Sequence, residues 1–104
     1  MSISPRQRLE NRRRAETRTF ELGGLRYVVT FGFFPDGRLA EIFLNNHRIN
    51  SAADTNARDA AIALSFALQH GADPEAIRKA LSRDSHGRAT GPLGAALDLV
   101  LDGA

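Results

Sequence analysis

The chain has 104 residues, 42% hydrophobic and 25% charged, which suits one domain with a modest core. It carries no cysteine, which excludes disulfides, thiolate metal sites, thiol catalysis and any cysteine radical. Net charge is only +2 although the pI is about 9.9, and six arginines precede Phe20, so the basic character is local.

Residues 1–18 read as a flexible basic arm with Arg6, Arg8, Arg12, Arg13, Arg14 and Arg18, interrupted by Glu10 and Glu16. Its opening residues, Met1 to Arg6, lack the apolar core of a signal peptide. No apolar run of the chain approaches the roughly 20 residues that span a bilayer. A cytoplasmic protein without a membrane partner is expected. The arm has two readings. Guanidinium groups bind phosphate bidentately, so it can contact DNA or RNA. Alternatively it is a solvated terminus, or it pairs with acidic groups on this or a partner chain. No aromatic residue is interleaved with the arginines for base stacking.

A single domain is expected over residues 19–104. Phe20-Glu21-Leu22 is a short strand, and Gly23-Gly24 supplies a tight hairpin. Residues 25–33 alternate, with Tyr27, Val29, Phe31 and Phe33 on one face and Arg26, Val28, Thr30 and Gly32 on the other. Gly32 within a strand marks a bulge or a close backbone approach. Pro35-Asp36-Gly37 is a turn. Residues 38–44 return as a third strand, with Ala40, Ile42 and Leu44 facing one way and Leu39, Glu41 and Phe43 the other.

A polar connection follows, in which Asn50, Ser51 or Asp54 can cap a helix. That helix covers residues 57–70. Ala57, Ala61, Leu64 and Leu68 form its apolar stripe; Ile62, Ala63 and Phe66 widen it, and Arg58, Ser65 and Gln69 make the polar side. So wide a stripe predicts burial on more than one side. Gly71 stops the helix, Asp73 caps the next and Pro74 opens it. The second helix runs to about residue 81, with Ala76, Ile77, Ala80 and Leu81 inward. Residues 82–91 read as a flexible polar loop. Pro92 opens a last helix whose Leu93, Leu97, Val100 and Leu101 join the core, and Gly103 ends it. The fold class is α+β: a three-stranded antiparallel meander packed on one face by two to three helices.

The segment Phe31-Gly32-Phe33, then Asp36-Gly37-Arg38-Leu39-Ala40-Glu41-Ile42-Phe43-Leu44, then Ala67-Leu68-Gln69-His70-Gly71-Ala72-Asp73-Pro74-Glu75-Ala76-Ile77, resembles the TSCPD domain. That family occurs at the C-terminus of adenosylcobalamin-dependent ribonucleotide reductases and as small stand-alone bacterial proteins. The resemblance covers about residues 25–82. Gly91-Pro92-Leu93-Gly94-Ala95-Ala96-Leu97-Asp98 looks like the stand-alone members. Reductase-linked members usually carry cysteines before the long helix and near the domain ends. Residues 46–54 here have none, so neither a metal site nor a reducing thiol pair carries over.

The resemblance implies a non-catalytic accessory or binding domain in nucleotide metabolism and DNA precursor supply. Its ligand is then a nucleotide, a nucleic acid or a protein partner, the last from the reductase or replication machinery. A small nucleic-acid-binding protein is the alternative. For it, Arg6, Arg8, Arg12, Arg13, Arg14 and Arg18 join Arg26 and Arg38 in one phosphate-binding surface. Enzymatic action by the chain alone ranks last. His47, Asp54 and Asp59 are poorly spaced for a metal, and Arg83-Asp84-Ser85-His86 are neighbours in sequence, which does not make a triad. No catalytic residue, metal or cofactor is expected. Exposed sheet edges and the Ala-rich helix permit a homodimer.

Overall fold

The computed structural model describes residues 5–103; the expectation for the first few residues therefore falls largely outside it. Three strands, β1 (Ala15–Leu22), β2 (Leu25–Phe33) and β3 (Leu39–Asn46), precede three helices, α1 (Ala52–Gln69), α2 (Pro74–Ala80) and α3 (Pro92–Leu101). The strands form one antiparallel sheet in the order β1-β2-β3. The α+β class is as the sequence indicates.

Alternation decides the inner face. Tyr27, Val29, Phe31 and Phe33 of β2 and Ile42 and Leu44 of β3 are buried with Ala57, Ala61, Leu64 and Leu68 of α1. Leu97 of α3 joins them. The outer sheet face has no helix over it, and Val28 and Phe43 remain 39% and 50% exposed there.

Punctuation holds closely. Ser51 caps α1 by accepting the Asp54 N–H. Gly71 takes a φ of 94°, a left-handed conformation that suits glycine after a helix. Asp73 accepts the Glu75 N–H, and Pro74 opens α2.

Four expectations are corrected. First, β1 begins at Ala15 rather than Phe20, because pairing with β2 extends through Ala15↔Gly32 and recruits four residues assigned to the arm. Second, the widened part of the α1 stripe is not buried: Ile62 and Phe66 stay 50% and 48% exposed. Third, Ser65 and Gln69, expected toward solvent, face the free edge of β3. The Ser65 hydroxyl accepts the Ile42 N–H at 2.8 Å and lies 3.1 Å from the Ile42 carbonyl. The Gln69 Nε2 donates to the Ala40 carbonyl, and Asp54 accepts the Asn46 N–H. Asp54, Ser65 and Gln69 are eleven and four residues apart, hence within about 60° on a helix of 3.6 residues per turn. One polar stripe of α1 thus closes an edge that would otherwise offer unpaired backbone groups. Fourth, Ala76 and Ala80 are exposed, and only Ile77 and Leu81 of the second helix's expected inward set pack against the core.

Candidate anion-binding surface

Gly32 shows both features its place in a strand suggests. The β2–β3 register shifts between Gly32 and Phe33, and the Glu41 side chain lies across the glycine. A Cβ there would sit 2.6 Å from Glu41 Cγ. This lets the Glu41 carboxylate lie nearly buried on the outer face, where it accepts a hydrogen bond from Arg13 Nε at 2.7 Å.

That ion pair is one of several fixings of the segment 5–14. Arg6 Nε donates to Gln69 Oε1 at 2.6 Å, and the Gln7 N–H donates to the Gln69 carbonyl at 2.7 Å. The Arg6 guanidinium lies over the Phe66 ring at 4.5 Å, Arg14 over Phe33 at 4.0 Å and Arg38 over Phe34 at 4.7 Å. Arg38 Nη2 also donates to Gln7 Oε1. The segment therefore runs from the end of α1, past the β2–β3 turn, into β1. The aromatic partners absent from the arm's own sequence come from β2, the turn and α1.

Arg12, Arg13 and Arg14 meet Phe33, Phe34 and Gly37 around a cavity of about 230 Å³. Charge there is partly compensated. Glu41 neutralises Arg13, and Asp36 pairs with Arg38 at 2.7 Å. The Arg38 backbone N–H and then its side chain hold the Asp36 carboxyl below its ordinary range. Arg14 has only a loose pair with Glu16 at 3.8 Å. Among the described residues, Arg8 and Arg12 have no ion-pair partner.

The eight arginines of the expected phosphate-binding surface do not gather in one place. Arg6, Arg12, Arg13, Arg14 and Arg38 lie at the β2–β3 turn end of the sheet or on the adjoining end of α1. Arg26 lies near the opposite end of β2, loosely paired with Glu21 at 3.9 Å. Arg26 and Phe33 are seven positions apart, roughly 23 Å at the rise of a strand. Arg18 pairs in register with Val29 and so lies on the inner, helix-covered side of the edge strand.

The other candidate clusters do not converge. Asp54 is engaged by the backbone N–H groups of Asn50 and Asn46, which hold its carboxyl below the ordinary value, with Arg58 adding to the effect. The His47 ring meets the Arg26 backbone instead. Among the described residues, no group of three or more His, Asp and Glu is placed to hold a metal ion. Asp84 accepts the N–H groups of His86 and Arg88, so it shapes a turn. Residues 82–91 are more ordered than a free loop: Arg83 bridges to Ala89, and its guanidinium grips Asp98 with two hydrogen bonds at 2.7 and 2.9 Å.

Sequence reasoning missed Ser65, Gln69 and the buried role of Glu41. Gly32 was the available signal for Glu41, because a glycine in a strand invites a neighbour to lie over it. Ser65 and Gln69 had none beyond their shared stripe with Asp54.

Part of the chain is similar to known proteins. It is 38% identical over 66 residues to the vitamin B12-dependent ribonucleotide reductase of Agrobacterium fabrum (strain C58). It is 35% identical over 66 residues to that of Bradyrhizobium diazoefficiens. Each match covers 64% of this chain and 5% of the reductase. No family model matches the chain, and no solved structure does.

Proposed function

We propose that the chain is a non-catalytic accessory domain of the TSCPD type, acting in nucleotide metabolism beside a vitamin B12-dependent ribonucleotide reductase. The observation that carries this reading is the local similarity to two such reductases. Two features support it. Without cysteine the chain cannot supply a thiyl radical or a reducing thiol pair. The carboxylates of Asp36, Asp54 and Asp84 are engaged with backbone N–H groups and that of Asp98 with Arg83, rather than converging on a reacting centre. Its contribution is then to bind a reductase, a nucleotide, or both.

The test is calorimetric titration of the chain into the purified A. fabrum reductase, with turnover measured in parallel. Association in the micromolar range with altered turnover is expected. Absence of both heat and any change in turnover rejects the reading.

A second reading is favoured by the arginines over Phe33, Phe34 and Phe66. Cations beside aromatic faces suit single-stranded nucleic acid, where phosphates meet guanidinium groups and bases stack. Fluorescence anisotropy of labelled DNA and RNA separates this from the first reading. Binding that weakens steeply with salt and is lost in Arg12→Gln/Arg14→Gln supports it; no binding at low salt excludes it.

A further inference from the structure

A groove of about 400 Å³ opens between α1, the 82–91 loop and the start of α3. It lies apart from the arginine surface, and no charged residue lines it. Its volume falls in the range of small-molecule sites. Three observations bear on what it holds.

The first is the helix terminus. Gly91 is the N-cap of α3, and no side chain caps it. Pro92 has no N–H. The Leu93 and Gly94 N–H groups precede the first intrahelical bond, Ala95 N–H to the Gly91 carbonyl, and have no acceptor among the described residues. The adjacent Thr90 hydroxyl is engaged by the Ser82 carbonyl and does not cap. The partial positive charge of a ten-residue helix thus meets the groove without a carboxylate to answer it.

The second is Tyr27. It is 4% exposed, its ring stacks on Phe20 at 5.4 Å, and it forms part of the groove wall. Its hydroxyl makes no hydrogen bond among the described residues and is not sealed from solvent, so it is open to an incoming acceptor.

The third lies beside it. Asn46 faces Tyr27 across the β2–β3 register, and its Nδ2 is a buried donor with no partner among the described residues. Asn46 does not itself line the groove, so its donor bears on the polarity of this corner and not on direct contact. Ala53, Ala57, Ala60 and Leu93 supply apolar walls.

We propose that this groove binds a small organic oxyanion, a phosphomonoester or a carboxylate, through the Leu93 and Gly94 N–H groups and the Tyr27 hydroxyl. The oxyanion takes the two N–H groups and the hydroxyl as donors, and the ligand's apolar part lies on the alanine wall. With no side-chain cation in the wall, the fit is to a ligand of modest charge rather than to a polyanion. Nucleic acid is therefore not its occupant. The site is independent of the reductase reading and survives its failure.

The experiment is an amide-resolved NMR titration of the full chain with deoxyadenosine monophosphate, inorganic phosphate, benzoate and uncharged deoxyadenosine. Saturable shifts centred on Leu93 and Gly94 are expected with at least one organic anion and not with the nucleoside. Which anion saturates identifies phosphomonoester or carboxylate. Tyr27→Phe keeps the ring and its stacking, so it should keep the fold while weakening binding several-fold. No saturable shift at Leu93 and Gly94 with any anion overturns the site. So do shifts confined to Arg12, Arg13 and Arg14, or an affinity unchanged by Tyr27→Phe.

Discussion

Ser65→Ala separates two descriptions of α1 by the sign of its effect. A serine on the solvent side of a helix gains stability on replacement by alanine, by about 0.5 kcal/mol, from helix propensity alone. Here the hydroxyl accepts the Ile42 N–H at 2.8 Å. Its one proton is shared between the Ile42 carbonyl at 3.1 Å and the Ala61 carbonyl at 2.9 Å. Ile42 is 1% exposed, so water cannot readily replace the serine. An orphaned buried N–H costs about 1–3 kcal/mol, and the lost donated bond about 0.5–1.5 kcal/mol. After the propensity gain the net is about 2 kcal/mol of destabilisation. Urea unfolding monitored by circular dichroism should show the midpoint falling by about 1 M or more, at the slope usual for small domains. Ser65→Thr keeps the hydroxyl and should recover most of the loss. Hydrogen exchange at the Ile42 amide should accelerate in the alanine variant beyond the global change. An unchanged or raised midpoint is incompatible with a hydroxyl that closes the sheet edge.

Gly32→Ala should destabilise by about 1–3 kcal/mol through overpacking against Glu41, yet be close to neutral in a Glu41→Ala background, where the space is free. Equal costs in both backgrounds, measured by thermal melting, would count against the close approach. Gln69→Ala removes the Arg6 acceptor and leaves the Ala40 carbonyl without its side-chain donor. Trypsin should then cut after Arg6 and Arg8 several-fold faster, and unchanged cleavage kinetics would mean that this contact does not hold the segment. The folded Asp54 carboxyl lies below its ordinary value of 3.8, chiefly through the Asn50 and Asn46 N–H groups. Its contribution is therefore full above the unfolded value and lost as pH falls through the lower, folded value. Asp54→Asn should be less stable than the parent at neutral pH, with the difference narrowing on acidification below 3.8; a gap that widens there would invert the sign.

Much of the molecule was legible because the relevant signals are local. Alternation over residues 25–33 set the inner face of β2, and Pro35-Asp36-Gly37 set the turn. Asp73-Pro74 and Gly71 fixed where helices start and stop, since each acts on backbone within a few residues. The stripe Ala57, Ala61, Leu64 and Leu68 named the core face of α1 for the same reason.

Tertiary structure decided what depends on distant partners. Helical periodicity marks Ser65 and Gln69 as polar but cannot register that the free edge of β3 runs beside them. Their partners, Ile42 and Ala40, lie 23 and 29 residues away. The arm likewise looked devoid of aromatic company, because Phe33, Phe34 and Phe66 reach its arginines only once the sheet has paired and α1 has packed. Extension of β1 back to Ala15 was hidden too: Ala15-Glu16-Thr17-Arg18 has little strand character alone and takes its conformation from β2. Composition and local backbone chemistry specified the elements; packing at long range specified which polar groups are buried, paired or left open.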